Sequence, residues 1–372
     1  MFPRLSRFLP VAATLLVATP GLRAAQPGLA RSQVEAVDAA VKHEMVRQRL
    51  VGAAVGIVEA GRVIYTQGYG WQDRENRVPA SRATMFRWAS ISKPVTAVAA
   101  MQLVEKGKLD LGADVRAYVP EFPDKGHTIT VEQTLNHQSG LPHYQAGKVV
   151  AVEREYALPH PFEDVVTALD TFALSPLLFE PGTRYGYSTH GYILASAVVQ
   201  RAGKEKFARQ VEERIAKPLG MASFQPDYQW KDIPNRAVGY RKRDGVVVKS
   251  TDTDVSWKLG GGGYISTIGD LARFAAGLVN HRLVGRAAEE RMWTPSRLAS
   301  GEPTHYGLGF DIRIDPANGR TVSHGGGQEK TSSLMWLRPD ERRAIVVFSN
   351  NEGADVGAIQ RAVDAALKAA GK

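Results

Sequence analysis

Apolar residues recur at helical spacing over residues 33–49, at Val34, Val37, Ala40, Val41 and Met45, and predict an amphipathic helix. Two short apolar runs, 53–59 and 62–69, flank Ala60-Gly61 and predict a β-hairpin. A second helix is expected over 90–106, with Gly107 as its C-cap. From 108 to 230 the pattern is mainly helical and often interrupted by Pro and Gly. Its candidate helices are 131–136, 162–174, 191–202 and 206–215. Residues 141–161 lack periodicity and read as a long surface loop. Asp270 is expected to cap a helix over 271–279. Strand-like runs return at 307–314, 331–337 and 344–349, separated by turn signals such as Pro339-Asp340. A last helix is expected over 356–370.

This order places a hairpin early and strands late, so both can join one antiparallel sheet with helices packed on it. The expected fold is α/β (α+β), with residues 26–107 and 231–372 forming the sheet domain. Residues 108–230 form an inserted, mainly helical subdomain. Residues 1–25 stand apart: Arg4 and Arg7 precede an apolar run, LPVAATLLVAT, and then the small residues Ala24 and Ala25. That order reads as a secretory signal peptide, which implies a periplasmic or secreted protein with no stable membrane insertion once the signal is removed.

Hydrophobic residues make up 44% of the 372 positions and charged residues 23%, the balance of an ordinary globular protein. Three charges of the formal +9 sit on Arg4, Arg7 and Arg23, and the remaining basic residues are scattered, which argues against a nucleic-acid partner. The absence of cysteine removes disulfides, thiolate catalysis and Cys-ligated metals together. His137 and His143 lack metal-ligand spacing. The glycines at 260–263 lack the Lys-Ser/Thr of a phosphate loop and suit backbone room beside a site or a strand bulge. There is no G-x-S-x-G elbow. Nothing calls for a metal or cofactor.

Three segments carry candidate chemistry. Ser90-Ile91-Ser92-Lys93 places a hydroxyl and an amine three residues apart at a helix start, within mutual reach. A serine needs a base to become a nucleophile, and a buried lysine can have its pKa lowered into that role. The same spacing also suits an N-capping serine with a solvated lysine. Tyr187-Ser188-Thr189 offers a phenol for proton transfer, although Tyr185 and Tyr192 lie close by. His324-Gly325-Gly326-Gly327, just before a strand, offers backbone that a ligand can approach closely. An N–H there and that of Ser90 could form an oxyanion hole, with His324 touching a substrate carboxylate or carbonyl.

Taken in order, Ser-x-x-Lys, Tyr-Ser-Thr and His-Gly-Gly resemble the serine β-lactamase and penicillin-binding-protein family: class C β-lactamases, D-alanyl-D-alanine carboxypeptidases and related esterases. The chain is most similar to the mitochondrial serine β-lactamase-like branch and its bacterial relatives. That likeness rests on RWASISKPVTAVAAMQLVEKGKLDLGADVRAYVPEFPDK, TLNHQSGLPHY, GYSTHGYILASAVV, KPLGM, GGGGYISTIGDLARF, YGLGF and SHGGG. It extends from about residue 35 to the C-terminus. The resemblance implies a β-lactamase/transpeptidase-like fold and an acyl-enzyme on Ser90. Lys93 would be base or electrostatic partner, Tyr187 would share proton transfer, and Gly327 would supply the second oxyanion N–H. Thr189, His324, Gly325 and Gly326 would line the substrate site.

Two departures shape the expected substrate. Class C enzymes usually carry Asn where this chain has Thr189 and Lys where it has His324. A hydroxyl replaces an amide, and a largely neutral imidazole replaces a fixed charge. Both weaken a grip on penicillin, so peptide or ester hydrolysis is expected ahead of β-lactamase or D-alanyl-D-alanine carboxypeptidase activity. A penicillin-binding scaffold without catalysis would be free to lose Lys93 or Tyr187, and both are present. Small molecules or peptides are the expected partners. A homo-oligomer is compatible with the family and not derivable from the chain.

Overall fold

The apolar run after the first helix lies next to the central strand of the sheet. In a computed structural model that describes residues 28–316 and 319–371, α1 (Arg31–Gln48) leads into β1 (Gly52–Glu59) and β2 (Arg62–Asp73), followed by the short β3 (Val78–Pro79) and β4 (Phe86–Arg87). Then come α2 (Ser92–Glu105), α3 (Val131–Leu135), α4 (Thr189–Gly203), α5 (Phe207–Val211) and α6 (Lys217–Leu219). The chain continues through β5 (Gln225–Pro226), the hairpin β6 (Tyr240–Arg243) and β7 (Val246–Lys249), α7 (Leu259–Gly262), β8 (Tyr264–Ser266), α8 (Ile268–Val279) and α9 (Arg286–Met292). It closes with β9 (Asp311–Asp315), β10 (Gly319–Gln328), β11 (Thr331–Arg338), β12 (Arg343–Ser349) and α10 (Val356–Ala370).

Seven strands form one antiparallel sheet in the order β3-β2-β1-β12-β11-β10-β9. The early hairpin and late strands meet at β1–β12, with Val55 opposite Val347. Alternation decides which face each side chain covers. Ala53, Val55 and Ile57 pack with Val37, Val41 and Met45 of α1 and with Ile359 and Val363 of α10. Ala54 and Val58 turn the other way, into a larger core that includes Leu271 and Phe274 of α8 and runs on through α2 and α4. Each fully buried Val, Ile or Leu contributes about 1.5–3 kcal/mol, so a strand slipped by one residue would forfeit both faces at once.

The hairpin turn is the one expected: Ala60 and Gly61 both have positive φ, 48° and 74°, as a tight two-residue turn requires. A side chain at Gly61 would also meet Asn280 Oδ1 at 2.1 Å. Gly107 ends the second helix with φ 63°.

Other expectations are corrected. Residues 162–174 form two short 3-10 turns, Pro161–Glu163 and Thr167–Thr171, instead of one helix. Val165, Val166 and Thr167 are β-branched and lose rotamer freedom in a helix, while buried Asp170 is engaged by Arg154 and Tyr156. The helix expected over 206–215 breaks into α5 and a π-helical turn, Glu212–Ala216. The strand expected over 307–314 begins only at Asp311, because Gly307 N–H bonds to Phe310 O in a turn. The glycines of SHGGG precede the expected strand, β11, and themselves lie within another strand, β10. Asp270 does not cap α8: the N-cap is Thr267, and buried Asp270 accepts from Ser223 N–H and Oγ and pairs with Arg273. The signal-peptide segment lies outside the described residues. Among the described residues no helix is long and apolar enough to cross a membrane.

Candidate active site

Ser90 sits in the 3-10 turn Ala89–Ile91 that joins β4 to α2. The turn is strained, since Ala89 has φ 49°, a conformation that costs a non-glycine residue about 1–2 kcal/mol. Its neighbours hold it there. Trp88 donates its N–H to Tyr264 O at 2.8 Å and its indole N–H to Ser266 Oγ at 2.7 Å. Ser333 and Thr331 of β11 donate to Trp88 O and Arg87 O. Arg87 is buried and paired with buried Asp227 at 2.5 Å.

One turn further on, Lys93 is fully buried. Its Nζ lies 3.0 Å from Ser90 Oγ, 3.2 Å from Thr189 Oγ1 and 2.8 Å from Gly261 O. All three partners are uncharged oxygens. Burial, and then the charge of Lys258, hold the amine well below the ordinary lysine range. A neutral amine has two protons and one lone pair. It can donate to Thr189 and Gly261 while accepting from Ser90, which satisfies all three contacts. Burial raises the Tyr187 phenol above the usual tyrosine range, while the neighbouring Ser90 draws it back down. The lysine ammonium position lies 4.8 Å from the Tyr187 ring centre. The structure thus brings Ser90, Lys93, Tyr187 and Thr189 together.

Two histidines that the sequence reading considered only as metal ligands position this cluster. His137 Nδ1 accepts the N–H of Ser188, and His143 Nδ1 accepts that of Thr189, each at 3.1 Å. Ser188 Oγ caps α4 by accepting from Gly191 N–H and donates to Pro142 O. The segment around 137–143 therefore grips the Tyr187–Thr189 backbone at successive residues. Accepting at Nδ1 requires both rings to carry their proton on Nε2. Burial keeps His137 well below the usual imidazole range and brings His143 down to about 4. Among the described residues no cluster of acids and histidines could hold a metal.

The glycines at 260–263 provide backbone room. Added side chains would meet Ser196 at Gly260 and Thr189 Cγ2 at Gly261, at 2.5 and 2.6 Å. Only glycine lets α7 approach closely enough for Gly261 O to reach Lys93. Thr96 Oγ1 donates to Gly260 O at 2.7 Å.

Strand β10 forms the opposite wall. It pairs with β9 only up to Ser323, which leaves residues 324–328 with one free edge. The β10–β11 turn is two residues long, between Gln328 and Thr331. The closing pair of such a hairpin is of the hydrogen-bonded kind, and pairs alternate from there. Gly326 therefore bonds to β11, while the N–H groups of Gly325 and Gly327 face the free edge. A side chain at Gly326 would strike Ser333 Oγ at 2.2 Å and Trp88 O at 2.7 Å, whereas one at Gly327 would meet nothing within 4 Å.

His324 is placed differently from the expectation of a substrate contact. It is buried, with Nε2 2.9 Å from Tyr306 Oη and Nδ1 2.7 Å from Gly325 O. Both nitrogens are engaged within the protein. Burial, and then the charge of Lys93, push its pKa down to about 3. A neutral ring that ties β10 to Tyr306 shapes the strand and brings no charge to the cleft.

Against known proteins, residues 37–370 match the family model described as Beta-lactamase. The chain belongs to the beta-lactamase family. It is 30% identical to "Penicillin-binding protein 4*" of Bacillus subtilis (strain 168), over 79% of this chain and 67% of that protein. It is 31% identical to "Serine beta-lactamase-like protein LACTB, mitochondrial" of Homo sapiens, over 78% of this chain and 69% of that protein. Among solved structures it resembles "EstCE1, a hydrolase with promiscuous acyltransferase activity", with a TM-score of 0.77, 22% identity, and 91% of this chain and 98% of that one covered. As a member of the beta-lactamase family, the chain is a serine hydrolase. This fold also explains why the site draws on segments so far apart in the sequence: α2, the start of α4 and β10 converge only once the sheet has closed through β1 and β12.

Proposed function

We propose that this serine hydrolase cleaves peptide or ester bonds through an acyl-enzyme on Ser90. The observation that carries the reading is the 3.0 Å contact between Ser90 Oγ and a fully buried Lys93 amine surrounded by neutral partners. Neutral Lys93 accepts the Ser90 proton as Oγ attacks the acyl carbon. The developing oxyanion meets the N–H groups of Ser90 and Gly327. Tyr187, kept protonated by burial, donates its proton to the leaving group and regains one from the Lys93 ammonium. Water then attacks the ester carbon, Ser90 leaves with a proton, and the free acid and the resting enzyme are restored. The geometry supports Lys93 as the acylation base and Tyr187 as the proton relay.

β-Lactam hydrolysis is slow in this reading. Thr189 Oγ1 is already engaged by Lys93. His324 offers no charge to a penicillin carboxylate. The Arg4–Ala25 pattern supports a periplasmic or secreted location. A panel of acyl esters, D- and L-peptides and β-lactams, run on the purified protein and on Ser90→Ala, tests the proposal. Acyl adduct mass on Ser90 and ester or peptide turnover are expected. Strong turnover of a chromogenic cephalosporin, or equal activity in Ser90→Ala, would overturn it.

A further inference from the structure

The cleft has two unlike ends. At the His324 end β10 is tied to Tyr306, and the imidazole there is buried and neutral. At the other end α7 packs with Gly262 against the Gln328 side chain, and Lys258 stands immediately before it. Its side chain is 6% exposed. Its amine lies 3.5 Å from Tyr144 Oη, 5.3 Å from the Tyr144 ring centre and 5.4 Å from that of Trp257. Among the described residues no carboxylate comes within ion-pair distance of it; Glu329 and Asp254 attract it from further off, while Arg87 repels it.

A cation this buried without a paired acid is costly. The surroundings suit a positive charge waiting for an anion. Two aromatic faces flank the amine, and such faces favour a cation without neutralising it. Tyr144 is presented from a strained backbone, φ 46°, and its ring centre lies 4.1 Å from that of His143, which accepts the Thr189 N–H. Strain of this kind persists where the surroundings enforce it and gathers at ligand sites. Gly261, three residues beyond Lys258 in α7, accepts from Lys93 Nζ, so Lys258 belongs to the reaction pocket and not to a remote surface.

The reaction's polarity then says which half of a substrate meets Lys258. The leaving group must receive its proton from Tyr187, whose ring centre lies 4.3 Å from that of His137, itself 4.6 Å from Tyr306 beside His324, against 5.2 Å from His143 on the Tyr144 side. The leaving group therefore lies toward the neutral end, and the acyl chain runs toward Tyr144, Trp257 and Lys258. Resting on the acyl-enzyme reading above, we infer that the preferred substrates carry an anionic group, a carboxylate, on the acyl half, and that Lys258 is the residue that selects it.

The test compares 4-nitrophenyl hydrogen adipate with 4-nitrophenyl hexanoate, which differ by the terminal carboxylate. A mirrored probe, the hexanoyl ester of 4-hydroxybenzoate, carries the charge on the leaving group. Wild type should favour adipate over hexanoate in kcat/KM by about tenfold or more, the worth of a charge-assisted hydrogen bond. It should show no comparable gain with the mirrored probe. In Lys258→Met the adipate-to-hexanoate ratio should fall to about one, and Lys258→Arg should restore it in part. Labelling of Ser90 by a neutral fluorophosphonate reports that each variant is folded and competent. A ratio near one in wild type, an unchanged ratio in Lys258→Met, or a preference for the mirrored probe would each overturn the inference while leaving the acyl-enzyme intact. Failure of every ester and of the fluorophosphonate to modify Ser90 would overturn both.

Discussion

Replacing Lys93 with methionine tests the proposed base through stability as well as rate. Methionine keeps the length of the side chain and removes the titrating group. In the unfolded chain a lysine titrates near 10.4; in the fold burial holds Lys93 well below that range. Between the two values the unfolded state binds one more proton than the native state. The stability of the wild type must therefore rise with pH relative to Lys93→Met, by about 1.4 kcal/mol per pH unit, until the unfolded lysine also loses its proton. Lys258, brought to about 8 mainly by burial, titrates in both proteins and cancels in the difference. Three hydrogen bonds, to Ser90, Thr189 and Gly261, are lost at every pH and shift the curve without tilting it. Urea unfolding of both proteins at pH 7, 8 and 9 measures the slope, and fluorophosphonate labelling of Ser90 should slow by about 10²–10⁴-fold in the variant. Parallel stability curves would show that Lys93 keeps its charge on folding, and the neutral-base mechanism would then be wrong.

Three further outcomes follow from the same structure. His137 and His324 are fully buried and neutral, with His324 brought to about 3; their stability contribution is present above about pH 6.5 and lost as pH falls, so together they steepen acid unfolding by up to about 2.7 kcal/mol per unit, which chemical denaturation between pH 7 and 5 will measure. Gly326→Ala forces a methyl against Ser333 and Trp88 O and should destabilise by about 1–3 kcal/mol, whereas Gly327→Ala meets open space and should stay within about 0.5 kcal/mol of wild type by thermal melting. Asp227→Asn removes the buried charge that Arg87 and Arg236 share beside the nucleophile's turn, leaving Arg87 only the exposed Asp252 at 3.7 Å, and should cost about 3–5 kcal/mol; a loss under 1 kcal/mol in urea unfolding would show that the pair is not what holds the turn.

Where the pattern and the local chemistry agree, the fold was legible. The apolar run 53–58 and the apolar spacing of Val37, Val41 and Met45 each name buried positions, and those positions meet. The Ala60-Gly61 turn needs only local backbone preference. Legibility failed where glycine or tertiary contact overrode propensity. Gly325, Gly326 and Gly327 lie in β10, although glycine weakens a strand, because their ladder to β11 and their packing against the Ser90 turn require the missing side chains. The 162–174 stretch has helical spacing, yet its β-branched centre and the Asp170 contacts keep it in short turns.

The sequence by itself determined the chemical parts: a hydroxyl and an amine three residues apart, a phenol ahead of a helix start, a glycine run, and apolar faces able to close one sheet. Only the tertiary structure decided the state and partner of each part. Burial makes Lys93 a candidate base and His324 a neutral strand anchor, His137 and His143 turn out to hold backbone, and Lys258 becomes a cation without a paired acid. The reason is physical: residue type and spacing set what a group can do, but solvent exclusion and neighbouring charge set its protonation, and both depend on segments brought together from distant parts of the chain.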